Sequence, residues 1–434
     1  MARLPLEGIT VIDAGEVLAG PYAPSLMGDM GALVIRVESI QRFGVGRGPG
    51  LRALPGTPGF PGKDPGKRPW DRNALYNMYT RNKYGITLDL TRPKGVELYK
   101  RLIKLADIVV ENWSAGVMER FGLGYEALKE VKQDIIMISA PGFGVEGPYK
   151  GYGTYGSNVD AIVGHTSLRG YPGEDPTVTS THVYPDSVAA FNICLAALVA
   201  LHYKMRTGNG QYIDVSQAEC FAPHLGEFFL DFVMNGRVAR PMGNRHPSMG
   251  PHGCYRCREE DDWVVIAVED DAEFAALCRV MGRPELAEDE RFADQLSRLR
   301  HREELDAVIQ EWTLQRTDYE VTHLLQEAGV AAGPVCGGAK LYNDPHVEER
   351  GFFESVDHRE AGRHRYPGVV WKLSKTPGSI RIPANCLGEH NEYVLKTFLG
   401  LSDEEIAQLA EDQIIGDTYL PTADTDKSAV KRPS

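Results

Sequence analysis

The sequence predicts an α/β protein whose larger part is a mostly parallel, doubly wound sheet. Three observations carry this. Short β-branched runs alternate with helical stretches through the first half of the chain, the runs are apolar almost without interruption, and the intervening helices have recognisable start and stop signals. A strand that is apolar throughout is covered on both faces, as in a parallel sheet.

The runs are Ile9–Ala14 (ITVIDA), Ala32–Glu38 (ALVIRVE), Gly85–Leu90 (GITLDL), Asp107–Glu111 (DIVVE) and Asp134–Ser139 (DIIMIS). Between the third and fourth, Pro93–Ala106 begins on a proline suited to a first helical turn and repeats apolar residues near helical spacing, which makes a βαβ unit. Asp186 opens a helix over Ser187–Arg206 that stops at Thr207-Gly208-Asn209-Gly210, and Tyr212–Ser216 reads as a further strand. The most apolar stretch, Val188–Tyr203, is interrupted by Asn192 and is shorter than the roughly 20 residues of a membrane span, so it reads as a buried helix.

After about Gly236 the composition turns to Gly, Pro, His and Arg, as in a linker and exposed loop. A smaller unit follows, with a strand at Trp263–Val268 and helices near Phe274–Met281 and Glu303–Thr313. The expected division is 1–205 for the first part of the large domain and 206–245 for a linker and lid loop; 246–345 form a small domain, and 346–434 return to the large domain, with a disordered tail after about 421.

A length of 434 residues fits two domains. The net charge of −13, without any dense Lys/Arg run, argues against nucleic acid as a partner, because phosphate contacts need a basic face. Pro5, Glu7 and Gly8 interrupt the region where a signal peptide needs an apolar stretch. Seven cysteines, odd in number and scattered, do not form a disulfide framework, so a cytoplasmic setting is expected.

Several motifs have plain readings. Gly142-Phe-Gly-Val-Glu-Gly147 matches a dinucleotide fingerprint, but Pro148-Tyr-Lys-Gly follows it where a helix would have to start, so it reads as a loop. Cys254-Tyr-Arg-Cys257 has no second pair at zinc spacing and reads as two cysteines on a hairpin edge; no metal is expected. Asn112-Trp-Ser114 is a glycosylation sequon that a cytoplasmic chain does not use. His246 and His252 lie in a Gly-rich loop suited to a lid. No HExxH, P-loop or GxSxG elbow is present. Asp186 by itself reads as a helix cap, a position that also holds a carboxylate ionised and fixed, as a nucleophile must be.

Taken together, LEGITVIDAGEVLAGPYAPSLMGDMGALVIRVE (Leu6–Glu38), RNKYGITLDLTRPKG (Arg81–Gly95), ADIVVENWSAGVMERFGLGYEAL (Ala106–Leu128), SAPGFGVEGPY (Ser139–Tyr149), RTGNGQYIDVSQAE (Arg206–Glu219), AGVAAGPV (Ala328–Val335), NDPHVEERGFF (Asn343–Phe353) and LGEHNEYVL (Leu387–Leu395) resemble the class III CoA-transferases. That family includes formyl-CoA transferase, carnitine CoA-transferase and, as a branch, α-methylacyl-CoA racemase. The resemblance implies a large Rossmann-like domain built from both chain ends, a small inserted domain and an interlaced dimer. It implies no permanently bound cofactor; a coenzyme A thioester is substrate, with a small carboxylate as partner.

By the same resemblance Asp186, in VYPDSVAAFNICLAAL, is the nucleophile. Val17, Leu18 and Ala19 contact CoA through their backbone, Leu88, Asn112, Trp113 and Arg120 line its path, and Gly243, Asn244, Arg245 and His246 correspond to the lid. The implied reaction passes through an aspartyl anhydride and an aspartyl-CoA thioester, with succinyl-CoA as donor and an aromatic or branched dicarboxylate as acceptor. Glu16 stands where formyl-CoA transferase has a His, Ser39 replaces an Arg that helps hold the adenine, and Gly156 replaces an acidic residue common in the family.

Two alternatives stand beside this. A racemase needs a His beside the position of Gly156, where this chain has Tyr155, with His165 and His182 elsewhere. A non-catalytic subunit would complete a heteromer with an active paralogue, in place of a homodimer.

Overall fold

The computed structural model describes residues 3–51, 53–175 and 184–423; His182 and the polar tail from 424 lie outside them. Six strands form one parallel sheet: β1 (Thr10–Asp13), β2 (Leu33–Glu38), β3 (Tyr84–Thr87), β4 (Ile108–Glu111), β5 (Ile136–Ser139) and β6 (Tyr212–Asp214), in the order β3-β2-β1-β4-β5-β6. Every neighbouring pair is parallel.

Alternation along each strand sends successive side chains to opposite faces. Ile12, Ile35, Ile86, Val109 and Met137 face one core, completed by the helix Pro93–Ile103 and by the C-terminal helices Asn391–Leu399 and Asp403–Glu411. Val11, Val34, Ile108, Val110 and Ile136 face the other, completed by the helices Ala19–Asp29 and Tyr184–Thr207. Both chain ends therefore build one layered unit. Packing continues through Ala423, 5% exposed, within the tail expected after about 421.

The chain divides into two compact units. The first takes in 1–165, 181–230 and 349–434, the second 166–180 and 231–348. Two segments depart from the expected division. The stretch taken for linker holds β6 and the helix Gln217–Phe221, because Val215 and Phe221 carry enough apolar surface to be buried. Residues 166–180 group with the second unit, where Gly243 donates to the Gly170 carbonyl at 3.1 Å. The second unit has a three-stranded antiparallel sheet of β7 (His252–Arg256), β8 (Trp263–Ala267) and β9 (Ala331–Pro334). The helices Asp271–Val280, Arg302–Thr313 and Asp318–Glu327 close its core. Cys254 lies on β7 and Cys257 just past it, both free. A hairpin, β10 (Phe353–His358) and β11 (Gly362–Pro367), belongs to the first unit.

The Tyr184–Thr207 helix corrects the expectation of a buried helix. It is 24 residues long and passes the length and composition test for a membrane span. One face, with Ala190, Ile193, Ala197 and Ala200, is buried in the sheet's second core, while Leu195 and Val199 are each 60% exposed and Met205 77%. This helix carries more apolar surface than its own unit covers.

The sheet's carboxyl edge holds a chain of buried charges. Asp13 on β1 meets Arg36 at 3.0 Å and Lys83 at 2.7 Å. Arg47, 1% exposed, pairs with Glu38 at 2.6 Å and Asp71 at 2.8 Å, donates to Tyr76 and to the Asn385 carbonyl, and stacks on the Tyr76 ring at 3.9 Å. Burial alone would raise the Glu38 carboxyl, but Arg47 and Arg36 outweigh it and hold it far below the usual range. The stabilisation is therefore present above the ordinary glutamate pKa and is lost as pH falls toward the folded value.

Arg47→Ala should cost about 3–5 kcal/mol, because it leaves Glu38 and Asp71 buried without their partner. Urea denaturation at pH 7 checks this: the midpoint should fall with little change in slope, and an unchanged midpoint contradicts the account.

Candidate active site

In a doubly wound sheet, ligands bind beyond the carboxyl ends of the strands at the point where the strand order reverses. Here that point lies between β1 and β4. The turn after β1 is tight: a Cβ on Gly15 would stand 2.6 Å from the Gly20 backbone, which only glycine avoids. Across the switch point, the Asn112 amide joins the two loops, accepting from the Glu16 N–H at 2.6 Å and donating to the Glu16 carbonyl at 3.0 Å.

Next, Val17 has φ +61°, a left-handed conformation that a β-branched residue reaches only at a cost of about 1–3 kcal/mol. Strain of this kind gathers at functional sites. Past it, Leu18 caps the helix Ala19–Asp29, so the free amides of the first turn, with the positive end of the helix dipole, point out of the strand ends.

Asp186 meets that helix start. It lies in the first described turn of the Tyr184–Thr207 helix, not at a cap, and is 8% exposed. Burial raises its carboxyl to about 6, opposed by hydrogen bonds from its own backbone amide and from the Ala19 amide. Desolvation thus outweighs the amides. At pH 7 the carboxylate still predominates by about tenfold.

An aromatic wall stands beside it. Tyr22 meets the Tyr79 ring at 4.8 Å and Phe191 at 5.9 Å. The Tyr79 phenol is pushed up first by burial, then by Tyr22 and Asp186, and hydrogen-bonds Ser187. Tyr22, Tyr79 and Phe191 were not singled out from the sequence, and residues so far apart along the chain carry no local signal of meeting.

The structure brings most of the expected CoA contacts to this edge. Val17, Leu18 and Ala19 follow β1, while Asn112 and Trp113 follow β4. The Trp113 amide donates to Glu111 at 2.7 Å, and its ring meets Phe121 edge-on at 5.8 Å. Burial lifts the Glu111 carboxyl to about 7. Arg120 ends the short helix Val117–Arg120, exposed and without an ion pair among the described residues.

Leu88 differs. Its side chain is 1% exposed in the first core and its amide is spent on the Glu38 carbonyl at 2.9 Å, so its side chain has no ligand-facing surface. Of the departures, Ser39 is engaged with Gln41 at 2.7 Å, and burial raises the Glu16 carboxyl although Arg36 pulls it down. Gly156 begins the helix Gly156–Ile162 behind an exposed Tyr155. In the same region His165 pairs with buried Asp160 at 2.8 Å and lies edge-on to Tyr184 at 5.7 Å.

In the second unit, the loop holding Gly243, Asn244, Arg245 and His246 is tied to Tyr171. A Cβ on Gly243 would meet the Tyr171 ring at 2.6 Å, and the Asn244 amide donates to the Tyr171 hydroxyl at 3.0 Å. The loop Gly142–Gly147 has no helix behind it; its Val145 amide is held by the Asp214 carboxylate at 3.0 Å.

A doubly wound sheet with a buried carboxylate of raised pKa near its switch point has the form of an α/β enzyme site. The model for CoA-transferase family III matches residues 6–391, and the chain belongs to that family, whose members act on CoA thioesters. It is 34% identical to a succinyl-CoA–D-citramalate CoA-transferase of Chloroflexus aurantiacus over 95% of this chain and 98% of that one. It is equally identical, with the same coverage of both chains, to the beta subunit of a succinyl-CoA–L-malate CoA-transferase of the same organism. Among solved structures, a CaiB/BaiF family protein from Brucella suis superposes with a TM-score of 0.80 at 29% identity, covering 91% of this chain and all of the other.

Asp186→Asn should stabilise the folded chain. A carboxyl raised to about 6 from an ordinary value near 3.9 costs stability above pH 6, and that cost vanishes below both values. Thermal melts should show a gain of about 1–2 kcal/mol at pH 8 and none at pH 3.5; destabilisation at pH 8 contradicts it.

Proposed function

We propose that the chain transfers CoA from succinyl-CoA to a dicarboxylate acceptor, with Asp186 as nucleophile. The observation that carries this is the buried Asp186 carboxyl, raised to about 6 yet held by the Ala19 amide at a helix start. A partly desolvated, fixed and mostly ionised carboxylate is suited to attack on an acyl carbon.

An Asp186 oxygen forms a bond to the thioester carbonyl carbon, the C–S bond breaks, and CoA leaves as thiolate from a mixed anhydride. The thiolate then attacks the Asp186 carbonyl and releases the donor acid, leaving an aspartyl-CoA thioester. The acceptor carboxylate attacks that thioester, breaking its C–S bond to expel CoA thiolate and form the second anhydride. Finally, returning thiolate takes the acceptor's acyl group and frees Asp186. No net proton is consumed, and no resident cofactor takes part. Backbone groups of Val17, Leu18 and Ala19, the Asn112 and Trp113 side chains and the exposed Arg120 would hold the CoA moiety, Arg120 as a phosphate partner. The loop from Gly243 to His246 serves as the lid.

The relatives named for citramalate and malate transfer support a dicarboxylate acceptor, and the subunit naming of one supports a heteromer as a form to test. The exposed apolar face of the Tyr184–Thr207 helix supports a second chain, in an interlaced dimer, as its cover. Seven free cysteines support a cytoplasmic setting.

Hydroxylamine with succinyl-CoA should trap Asp186 as its hydroxamate, seen by peptide mass spectrometry, and Asp186→Ala should lower transfer by about a thousandfold or more. The acid limb of kcat should fall near pH 6. Full transfer without Asp186 excludes the mechanism, and deuterium entering the α-carbon in heavy water would mark a racemase instead. Light scattering of the purified chain should give twice the chain mass; a stable monomer contradicts the interlaced dimer, and activity gained only with a paralogue marks a heteromer.

A further inference from the structure

A cavity of about 570 Å³ lies within the second unit, a size suited to a small-molecule ligand. Tyr171, Met242, Arg245, His252, Tyr255 and Asp306 are among its walls. Its polar lining supplies both donors and acceptors.

Arg245 is the charged donor, and its charge is felt by Asp306. Its one ion pair among the described residues is with Glu303 at 3.4 Å, and Glu303 is itself 84% exposed, so water screens the pair and most of the guanidinium's five donors are unspent. The Tyr171 hydroxyl accepts from the Asn244 amide at 3.0 Å, which leaves its own proton to donate. A carboxylate is the group that matches a forked guanidinium beside a hydroxyl donor.

Among the acceptors, His252 Nδ1 stands 2.7 Å from the Asn244 carbonyl, which can only accept, so Nδ1 carries a hydrogen, and in the Nδ1–H tautomer Nε2 is free to accept. The Asp306 carboxylate accepts from the Tyr255 hydroxyl at 2.7 Å and has lone pairs to spare. A hydroxyl can donate to either residue.

We propose that this cavity binds a small hydroxycarboxylate, its carboxylate on Arg245 and Tyr171 and its hydroxyl donating to His252 or Asp306. The choice of a carboxylic acid as ligand rests on the CoA-transfer reading; the polarity of the cavity adds the hydroxyl. Selection of this kind is effective because a ligand lacking the hydroxyl leaves polar groups of the site unmatched.

Isothermal titration of the full chain without CoA tests this, using L-malate and succinate, which share charge and chain length and differ by one hydroxyl. Malate should bind about fivefold or more tightly than succinate, as one added hydrogen bond allows. Arg245→Gln should weaken malate by about tenfold or more. His252→Gln combined with Asp306→Asn should weaken malate while leaving succinate unchanged. Equal affinities for the two acids, or malate binding to a folded Arg245→Gln chain at wild-type strength, would overturn the proposal. Asp186→Asn separates the two readings: it should keep malate binding and lose transfer, and persistent transfer in that variant would sink the nucleophile while the cavity's ligand stood.

Discussion

The geometry of this protein depends on burying charge at the carboxyl edge of its sheet. Arg47 lies outside any strand or long helix, yet its guanidinium meets Glu38 at the end of β2, Asp71, Tyr76 and the Asn385 carbonyl. Those partners come from parts of the chain more than 300 residues apart, and the Arg47–Asn385 bond alone spans a separation of 338. A buried ion pair is not in itself evidence of net stability, since desolvating the ions is expensive. What such a network does is fix position: it places the C-terminal segment, through Asn385, against the end of β2 and the connection that follows it.

The same logic reaches the proposed site one layer on. Asp13 is held by Arg36 and Lys83, and it accepts from the Gly15 amide at 2.8 Å, the first residue pair of the turn that ends in Val17 and Ala19. Arg36 also donates to the Gly15 carbonyl. The turn is therefore gripped from beneath by buried charges and from the side by Asn112, and the strained backbone of Val17 persists because those bonds leave the turn no other course. Rigid support of this sort is what an amide aimed at a nucleophile needs.

Much of the sheet was legible because its strands are buried on both faces, so β1 to β5 stood out as apolar runs and needed no partner to be recognised. The helix Pro93–Ile103 was legible by its proline and period, ending a turn earlier than expected. Asp186 was legible only through resemblance, since in isolation a carboxylate before an apolar helix is a cap. Arg47, Tyr79 and Asn112's double bond to Glu16 have no local signature: their meaning lies in partners far along the chain. The grouping of 166–180 with the second unit was hidden for the same reason. The Tyr184–Thr207 helix was misjudged because composition reports how apolar a helix is and not which of its faces the same chain covers.

Asp186 sits where two demands compete. A carboxylate in water is a poor nucleophile because its hydration must be stripped before it can attack, and burial removes that hydration in advance. Taken too far, burial would protonate the group and abolish attack altogether. Its own backbone amide and then the Ala19 amide limit the rise, leaving the carboxyl near 6. Because the helix Ala19–Asp29 supplies the amide and the Tyr184–Thr207 helix supplies the acid, the balance depends on how these two helices pack, and Ala23, Ala190, Ile193 and Ala197 share that core. Small residues at that contact permit the close approach on which the balance rests. Bulk added there would move Asp186 away from the Ala19 amide and raise its pKa further, changing reactivity through packing with no change in any charged group.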